Sequence, residues 1–153
     1  MTGTWNARVI RHIGPHRETS DAATYVFAPL MHGRWLFGAD RHAGDYIYIT
    51  YDQLGNHWTL VRLEANPSYG TFVSSDDWRA GRITFTSVAA FAEGQPYART
   101  TTILKRNARS FVIYDKERLA DGTSLLDDIV TLEKQLTVPA AASSKGWSAR
   151  RDR

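Results

Sequence analysis

Turn-forming residues recur at short, even intervals along this sequence, and the segments between them have the composition of β-strands. Gln53-Leu54-Gly55-Asn56 and Arg106-Asn107-Ala108-Arg109 are two such turns, and the runs on either side of each are rich in β-branched and aromatic residues. No segment keeps apolar residues at helical spacing over three turns. The spacing leaves room for about ten strands. The pattern therefore predicts an all-β protein.

About ten short strands can pack as a sandwich or close into a barrel. Closure removes the exposed edges, and consecutive hairpins without long crossovers favour an up-and-down meander over a Greek-key sandwich. We therefore expect residues 1–137 to form a single antiparallel up-and-down barrel of about ten strands around a central cavity. Residues 138–153 include Pro139-Ala140-Ala141-Ala142-Ser143-Ser144, which has no pattern able to bury a face. We expect this basic C-terminal tail to be disordered.

The formal net charge of +3 comes from the tail rather than from the predicted barrel. The tail contains four basic residues, Lys145, Arg150, Arg151 and Arg153, and one acidic residue, Asp152. Taking these from the 19 basic and 16 acidic residues of the chain leaves 15 of each in the body. A neutral body offers no basic stripe to a phosphate backbone, so no nucleic-acid partner is expected.

The chain contains no cysteine, which removes disulfide frameworks, thiolate nucleophiles and cysteine-based zinc sites. Residues 1–6 have neither the basic nor the apolar region of a signal peptide, and no stretch approaches the roughly 20 apolar residues of a membrane helix. We therefore expect a cytoplasmic protein without a membrane partner. The sequence leaves a homodimer open.

The hairpin around Gln53-Leu54-Gly55-Asn56 indicates which side chains share a face of the sheet. If these four residues form the loop, Asp52 lies opposite His57 and Tyr51 lies opposite Trp58. We favour as the interior the face that joins these two rings to an arginine. Its members are Ile47, Ile49, Tyr51, Trp58, Leu60 and Arg62.

A second hairpin extends this face to the preceding strand. A four-residue loop at residues 41–44 would bring Arg34 and Leu36 beside it. Because a slip of one residue inverts every position, Trp35, Tyr48 and Thr59 form the alternative interior. The candidate ligand-binding residues are Arg34, Leu36, Tyr48, Ile49, Tyr51, Trp58, Leu60, Arg62 and Arg99.

Three of these candidates, Arg34, Arg62 and Arg99, are arginines in the interiors of predicted strands. An unpaired charge inside an apolar cavity costs several kcal/mol, so an inward arginine needs a partner. One interpretation is an outward side chain or an ion pair with a carboxylate such as Glu64. The other is an anchor for the carboxylate, phosphate or enolate oxygen of a ligand.

The five histidines form no pattern typical of a metal site, and no metal is expected. His57 draws attention because the predicted pairing sets it opposite Asp52. A carboxylate that orients an imidazole begins a general-base arrangement, but the same pair also makes an ordinary hydrogen bond at the end of a hairpin. The candidate catalytic residues are Tyr51, Asp52, His57 and Arg62.

The opening Gly3-Thr4-Trp5 resembles the Gly-x-Trp start of calycin barrels, which include lipocalins, fatty-acid-binding proteins and nitrobindin-like proteins. In that superfamily the tryptophan closes one barrel end beneath a basic residue from a late strand, and the resemblance gives these parts to Trp5 and Lys134. Other segments are similar to the layout of bacterial calycin-like domains of unknown function, and the similarity spans roughly residues 3–135. These segments are Gly33-Arg34-Trp35-Leu36, Tyr51-Asp52 with Trp58, Gly81-Arg82-Ile83-Thr84-Phe85, and Asp121-Gly122.

Nitrobindin-like proteins bind heme through a histidine late in the chain. This sequence has no histidine after His57, and it lacks the family's glycine-rich first strand. We therefore expect no heme, and no other cofactor is indicated.

Two classes of function fit such a barrel. The first is a module that binds a small apolar or aromatic molecule among Trp and Tyr rings, with an arginine as polar anchor. The second is a cofactor-free enzyme in the same cavity, a cyclase, isomerase or pericyclic-reaction catalyst of small-molecule biosynthesis. A structural or oligomerisation domain with a fully packed interior is the third interpretation. We favour binding.

Overall fold

The structure is a computed structural model, which describes residues 1–13, 17–40, 42–65, 68–92 and 95–136. Over these residues the chain forms eleven β-strands and one short 3-10 helix. The helix spans Trp78–Ala80. The strands are β1 (Gly3–Ile13), β2 (Arg17–Leu30), β3 (Trp35–Asp40), β4 (Tyr46–Asp52), β5 (His57–Leu63), β6 (Ser68–Ser74), β7 (Arg82–Ala92), β8 (Gln95–Pro96), β9 (Ala98–Asn107), β10 (Ser110–Arg118) and β11 (Ser124–Lys134).

Ten of these strands close into one antiparallel barrel. From β1 to β7 each strand pairs with the next one in the sequence, and the ring continues from β7 through β9 and β10 to β11. The pairing of β1 with β11, from Trp5 opposite Lys134 to His12 opposite Asp127, closes it. β8 is a two-residue strand that pairs only with the end of β7. The predicted all-β, up-and-down barrel of about ten strands is therefore confirmed.

The β4–β5 hairpin has the register that its turn residues predicted. Tyr51 lies opposite Trp58, and Asp52 lies opposite His57. Asn56 adopts a φ of 52°, in the left-handed region that asparagine tolerates better than most residues. The Asp52 carboxylate accepts hydrogen bonds from the backbone N–H groups of Leu54 and Gly55, at 2.9 and 3.1 Å, which holds the loop closed.

Alternation along the strands turns one side chain of each pair into the barrel. Leu60 is buried, and Ile47 and Ile49 pack against the same core, as the favoured parity predicted. Tyr48 lies on the other side of β4, where its ring contacts Phe37 at a centroid distance of 5.3 Å. Tyr48, from the alternative interior, is thus on the outer face of the sheet.

The waist of the barrel is filled by large apolar side chains. Phe72, Phe85 and Leu132 are 0% exposed. Gly38 makes room for one more ring, because a Cβ atom at this position would lie 2.5 Å from Phe27 Cε1. This density leaves the open volume of the interior mainly to one end of the barrel.

Trp5 and Lys134 lie in contact where the first and last strands of the barrel pair. The Trp5 side chain is 1% exposed, and its ring meets the Phe111 ring edge-on at 5.2 Å. Lys134 Nζ lies 5.8 Å from the centroid of the Trp5 ring, within the range of a cation–π contact. The register of β1 against β11 sets these two residues opposite each other.

Two further expectations concern the ends and the environment of the chain. The tail at residues 138–153, predicted to be disordered, lies outside the described residues, and β11 ends at Lys134. Within the described part of the chain, no helix has the length and apolar character needed to cross a membrane.

Candidate ligand cavity

A cavity with a volume of about 750 Å³ opens at one end of the barrel. It lies where the β2–β3 turn, the β4–β5 hairpin and the 3-10 helix come together, and we call this the cavity end. Rings and aliphatic side chains form most of its wall. The lining residues are Met1, Gly33, Arg34, Trp35, Leu36, Ile49, Thr50, Tyr51, Asp52, Gln53, Leu54, Trp58, Trp78, Ile83, Phe85 and Ile103.

The rings at the mouth of the cavity are held by local contacts. Tyr51 meets Trp58 edge-on at 5.1 Å, and the Tyr51 hydroxyl donates a hydrogen bond of 2.6 Å to Asn56 Oδ1. Trp78 is carried by the 3-10 helix, whose first turn is capped by the Asp77 carboxylate. The Trp78 ring stacks parallel to Phe111 at 6.3 Å. These contacts position aromatic surface toward the opening before any ligand arrives.

Arg34 is the basic side chain on the cavity wall. Its backbone carbonyl accepts a hydrogen bond of 2.7 Å from Thr50 Oγ1, which fixes the chain at the mouth, while the residue itself is exposed. Among the ion pairs of the described residues, none involves Arg34. Its guanidinium is therefore available to an anionic group at the cavity mouth.

A smaller inner cavity of about 20 Å³ lies below the large one. The two share Met1, Ile49 and Ile103 in their walls. The floor of the inner cavity is polar, because Arg62 and Asp115 line it beside apolar residues. This volume is enough for a single water molecule.

Five charged residues fill the opposite end of the barrel, and we call them the ionic cluster: Arg62, Glu64, Arg99, Asp115 and Glu117. Asp115 Oδ2 lies 2.9 Å from Arg62 Nη1 and 3.1 Å from Arg99 Nη2. Arg99 Nη1 lies 2.7 Å from Oε1 of both Glu64 and Glu117. Arg99 is 2% exposed, so its charge is balanced almost wholly by these protein partners.

The electrostatics of the ionic cluster follow from burial and pairing. Burial alone would raise the pKa of Asp115, but the charges of Arg99 and Arg62 outweigh it and hold that pKa well below its usual range. At Glu117 burial dominates and raises the pKa, despite the opposing charge of Arg99. The cluster sets two arginines against three carboxylates, and Glu117 is the carboxylate that burial disfavours as an anion.

The structure brings most of the predicted ligand-binding residues to the interior. Arg34, Leu36, Ile49, Tyr51 and Trp58 line the large cavity, together with Trp35 from the alternative parity. Leu60 and Arg62 line the inner cavity instead.

Two predicted ligand-binding residues are not brought to either cavity. Arg99 lies in the ionic cluster, where its side chain is taken up by Glu64, Asp115 and Glu117. Tyr48 faces outwards because it alternates with Ile49 along β4. For Arg62 and Arg99 the ion-pair interpretation, with Glu64 as partner, is the one that the structure contains.

The predicted catalytic pair is assembled only in part. Asp52 and His57 lie opposite each other, but no hydrogen bond between them occurs among the described contacts. Backbone hydrogen bonds from Gly55 and Leu54 lower the pKa of the exposed Asp52 carboxyl. Asp52 therefore acts as a cap of the hairpin loop. Tyr51 lines the large cavity and Arg62 lies on the floor of the inner one.

Sequence reasoning missed several wall residues from the second half of the chain. Ile83, Phe85 and Ile103 line the cavity from β7 and β9. Their alternation with threonines was visible in the sequence, and extending the parity argument across those strands would have found them. Trp78 had no such signal, since a three-residue helix between strands positions it.

Comparison with known proteins gives limited likenesses, and these are to solved structures. No protein-family model matches this sequence, and no curated protein matches it. Among solved structures, the chain is similar to the crystal structure of a protein of unknown function from the DUF3598 family of Nostoc punctiforme, with a TM-score of 0.47 and 11% identity. The match covers 88% of this chain and 47% of that one, so this ten-stranded barrel spans about half the length of its structural neighbour.

Proposed function

We propose that this barrel binds a small, mainly apolar or aromatic molecule in its large cavity. The volume of about 750 Å³ falls within the range of about 300–1,000 Å³ that is common for small-molecule sites. Three tryptophan rings, one tyrosine ring and only a few polar groups line it, which is the usual composition of such sites. The ligand enters from the cavity end.

The observation that carries this proposal is the contrast between the packed waist and the open end. Phe72 and Phe85 are fully buried, and only about 20 Å³ is open below the large cavity, whereas the rings above face an unfilled volume. Apolar surface kept in contact with water is unfavourable unless something covers it. A ligand of matching shape would cover Trp58, Trp78 and Leu36 at once.

Arg34 supports a preference for ligands that carry one anionic group. It sits at the mouth without an ion-pair partner among the described residues, so a carboxylate or enolate at the outer end of a bound molecule would meet it. The contact is partly solvated and contributes modestly, on the order of 1 kcal/mol. The apolar body of the ligand supplies most of the affinity.

Binding is favoured over turnover because the strongly shifted acid lies elsewhere. The pKa of Asp115 is held low by its arginines inside the ionic cluster, where those partners leave it no role with a ligand. The Asp52 carboxylate, on the cavity wall, already accepts hydrogen bonds from the backbone of its own loop. Catalysis in the cavity is therefore the second outcome of the experiment below rather than a separate proposal.

Two finer attributes belong to the same proposal. The contact between Lys134 and Trp5 supports a calycin-like, lipocalin-like barrel, since it repeats the feature from which the resemblance began. The absence of cysteine favours a reducing compartment, and we propose the cytoplasm on that basis alone.

The test is a calorimetric titration of the full chain with aromatic acids and with their uncharged amides. Leu36→Trp fills the cavity from inside and is expected to weaken every cavity ligand at least tenfold. Ile10→Trp, an outward residue of β1, is the matched control and should leave affinity unchanged. Arg34→Ala should weaken the acids about fivefold, on the order of 1 kcal/mol, and leave the amides unaffected.

Each result decides between the interpretations. A panel in which no compound binds contradicts the proposal, and so does equal weakening by Leu36→Trp and Ile10→Trp. If a bound compound is recovered chemically changed, and Tyr51→Phe slows that change without weakening binding, the cavity is catalytic and the binding module is replaced by an enzyme.

A further inference from the structure

The outer surface of the barrel from β2 to β7 carries no charged side chain over three complete cross-strand rows. One row runs through Val26, Ala39, Tyr46, Leu63, Tyr69 and Phe91, each paired with the next across the sheet. The other two start at Ala28 and Leu30 and follow the same pairings. In the row from Leu30, Trp35 and Thr50 also border the mouth of the large cavity. We call these three rows of six residues the outer apolar face.

The outer apolar face is rich in aromatic residues and is open to solvent. None of its eighteen residues is buried, and Tyr46, Leu63 and Tyr69 are 42–54% exposed. The polar members are threonines only. Phe37 contacts both Tyr46 and Tyr48, at 6.0 and 5.3 Å, so the rings already form one cluster. Contiguous exposed apolar surface of this kind marks an interaction site.

The opposite wall of the same barrel has the usual polar exterior. Its outward rows across β10, β11 and β1 include Lys116 opposite Asp127 and Asp127 opposite His12. Arg8 and Glu133 are also exposed there. The barrel therefore has a charged wall and an uncharged wall. Exposure to water is favourable for the charged side chains and unfavourable for the apolar ones.

We propose that a second copy of this chain covers the outer apolar face and forms a two-fold symmetric dimer. A two-fold axis brings a patch against itself, so a charged patch would meet its own charge, whereas an uncharged patch is complementary to itself. Of the two walls described, the outer apolar face is the one that is complementary to a copy of itself. The axis passes near Tyr48 and Val61, the middle of the middle row.

The dimensions of the face suit such a dimer. Six strands about 4.8 Å apart and three rows about 6.7 Å apart give roughly 600 Å² of sheet before side-chain relief is added, wrapped around six of the ten barrel strands. A standard protein interface buries about 800 Å² on each partner. Because the barrel curves, a second copy meets mainly the central strands of the face, so we expect an interface at the small end of the range. The face is still far wider than the contact that a single short peptide would need.

The first experiment measures the mass of the full chain by sedimentation velocity from about 1 to 100 μM. A dimer of twice 17.3 kDa is expected. Tyr48→Lys puts a charge at the axis, and the dissociation constant should rise at least a hundredfold. Tyr114→Lys is the matched control, because Tyr114 is also a half-buried outward tyrosine, on the opposite wall, and its dimer should match the wild type. Near-ultraviolet circular dichroism checks that each variant is folded.

A second measurement does not depend on a disruptive variant. The chain has no cysteine, so Thr71→Cys on the outer apolar face and Thr131→Cys on the charged wall each create one labelling site. A short bis-maleimide should link Thr71→Cys into dimers and leave Thr131→Cys monomeric. A wild type that is monomeric at 100 μM overturns the proposal, as does cross-linking at Thr131→Cys alone. A chain that dimerises only after removal of residues 137–153 also overturns it, because the tail is then the occupant.

Discussion

The two ends of the barrel interior are built from the same strands by opposite chemistry. β4 and β5 place Ile49 and Trp58 on the wall of the open cavity, and β5 then carries Arg62 toward the ionic cluster. At the cavity end apolar side chains leave space, whereas at the other end charged side chains fill it. The two arginines and three carboxylates of the ionic cluster contact one another, so the charges at that end are compensated mainly within the protein.

This difference separates stability from binding along the barrel axis. The ionic cluster joins β5, β9 and β10, which are not all neighbours in the sheet, and so ties the two sides of the barrel together. Because its charges are buried, removing one partner is costly. The side chains of the cavity end face open volume. Substituting them should therefore cost less stability than breaking the ionic cluster.

The largest effect is expected from breaking the ionic cluster. Asp115→Asn removes the carboxylate that both Arg62 and Arg99 contact, and it leaves Arg99, with a side chain 1% exposed, short of one partner. Removing one member of a buried ion pair costs about 3–5 kcal/mol. Urea unfolding followed by circular dichroism should show a loss of this size in the free energy of unfolding.

A surface pair provides the control for that loss. Asp127 contacts Arg118 at 2.8 Å, but the two side chains are 40% and 33% exposed. Asp127→Asn should therefore cost less than about 1 kcal/mol. Equal losses for the two variants would mean that the ionic cluster is no more important than a surface pair, and the comparison between the two ends would fail.

The β4–β5 hairpin could be predicted from the sequence, whereas the ionic cluster could not. Alternating apolar residues around Gln53-Leu54-Gly55-Asn56 fixed the register and the inward face, because a period of two and a four-residue turn leave few options. The ionic cluster was beyond reach, since its members come from three strands, two of them far from β5 in sequence. Parity can turn Arg62 and Arg99 inwards, but only the closed barrel shows that they share Asp115.

At the cavity end, too, local sequence patterns predict only part of the structure. Leu36, Ile49 and Trp58 follow from local parity, whereas Trp78 depends on a short helix that caps the barrel from outside the strand pattern. What the cavity binds depends on its shape, to which β3, β4, β5, β7 and β9 contribute. Sequence periodicity predicts the wall and leaves the enclosed volume open.

The stability of the ionic end should depend on pH through Glu117. Burial raises the pKa of Glu117 above its ordinary value in the folded chain. A raised carboxyl pKa means that the folded state holds the proton more tightly, so this stability is present at low pH and is lost as pH rises through the folded pKa. Glu117→Gln keeps a neutral side chain at every pH. The wild type should therefore lose stability relative to Glu117→Gln as pH rises above about 4.3, the ordinary pKa of glutamate.

Thermal unfolding of both proteins between pH 4 and pH 7 measures this difference. Glu133→Gln, on the exposed side of β11, is the control and should run parallel to the wild type. A difference between the wild type and Glu117→Gln that stays constant over this range would contradict the assignment of the proton to Glu117.

The smallest effect is expected at the cavity end, where a cation meets a ring rather than a carboxylate. Lys134 Nζ lies 5.8 Å from the centroid of the Trp5 ring, and Lys134→Met keeps the side-chain stem while removing the charge. An exposed cation–π contact contributes about 0.5–1 kcal/mol, which sets the expected loss in urea unfolding. Lys105→Met, another exposed lysine on the barrel, should change the free energy of unfolding by less. A cation can contact a ring without losing all of its water, so this loss should be several times smaller than that of Asp115→Asn. A loss of similar size would mean that both ends rely on buried charge.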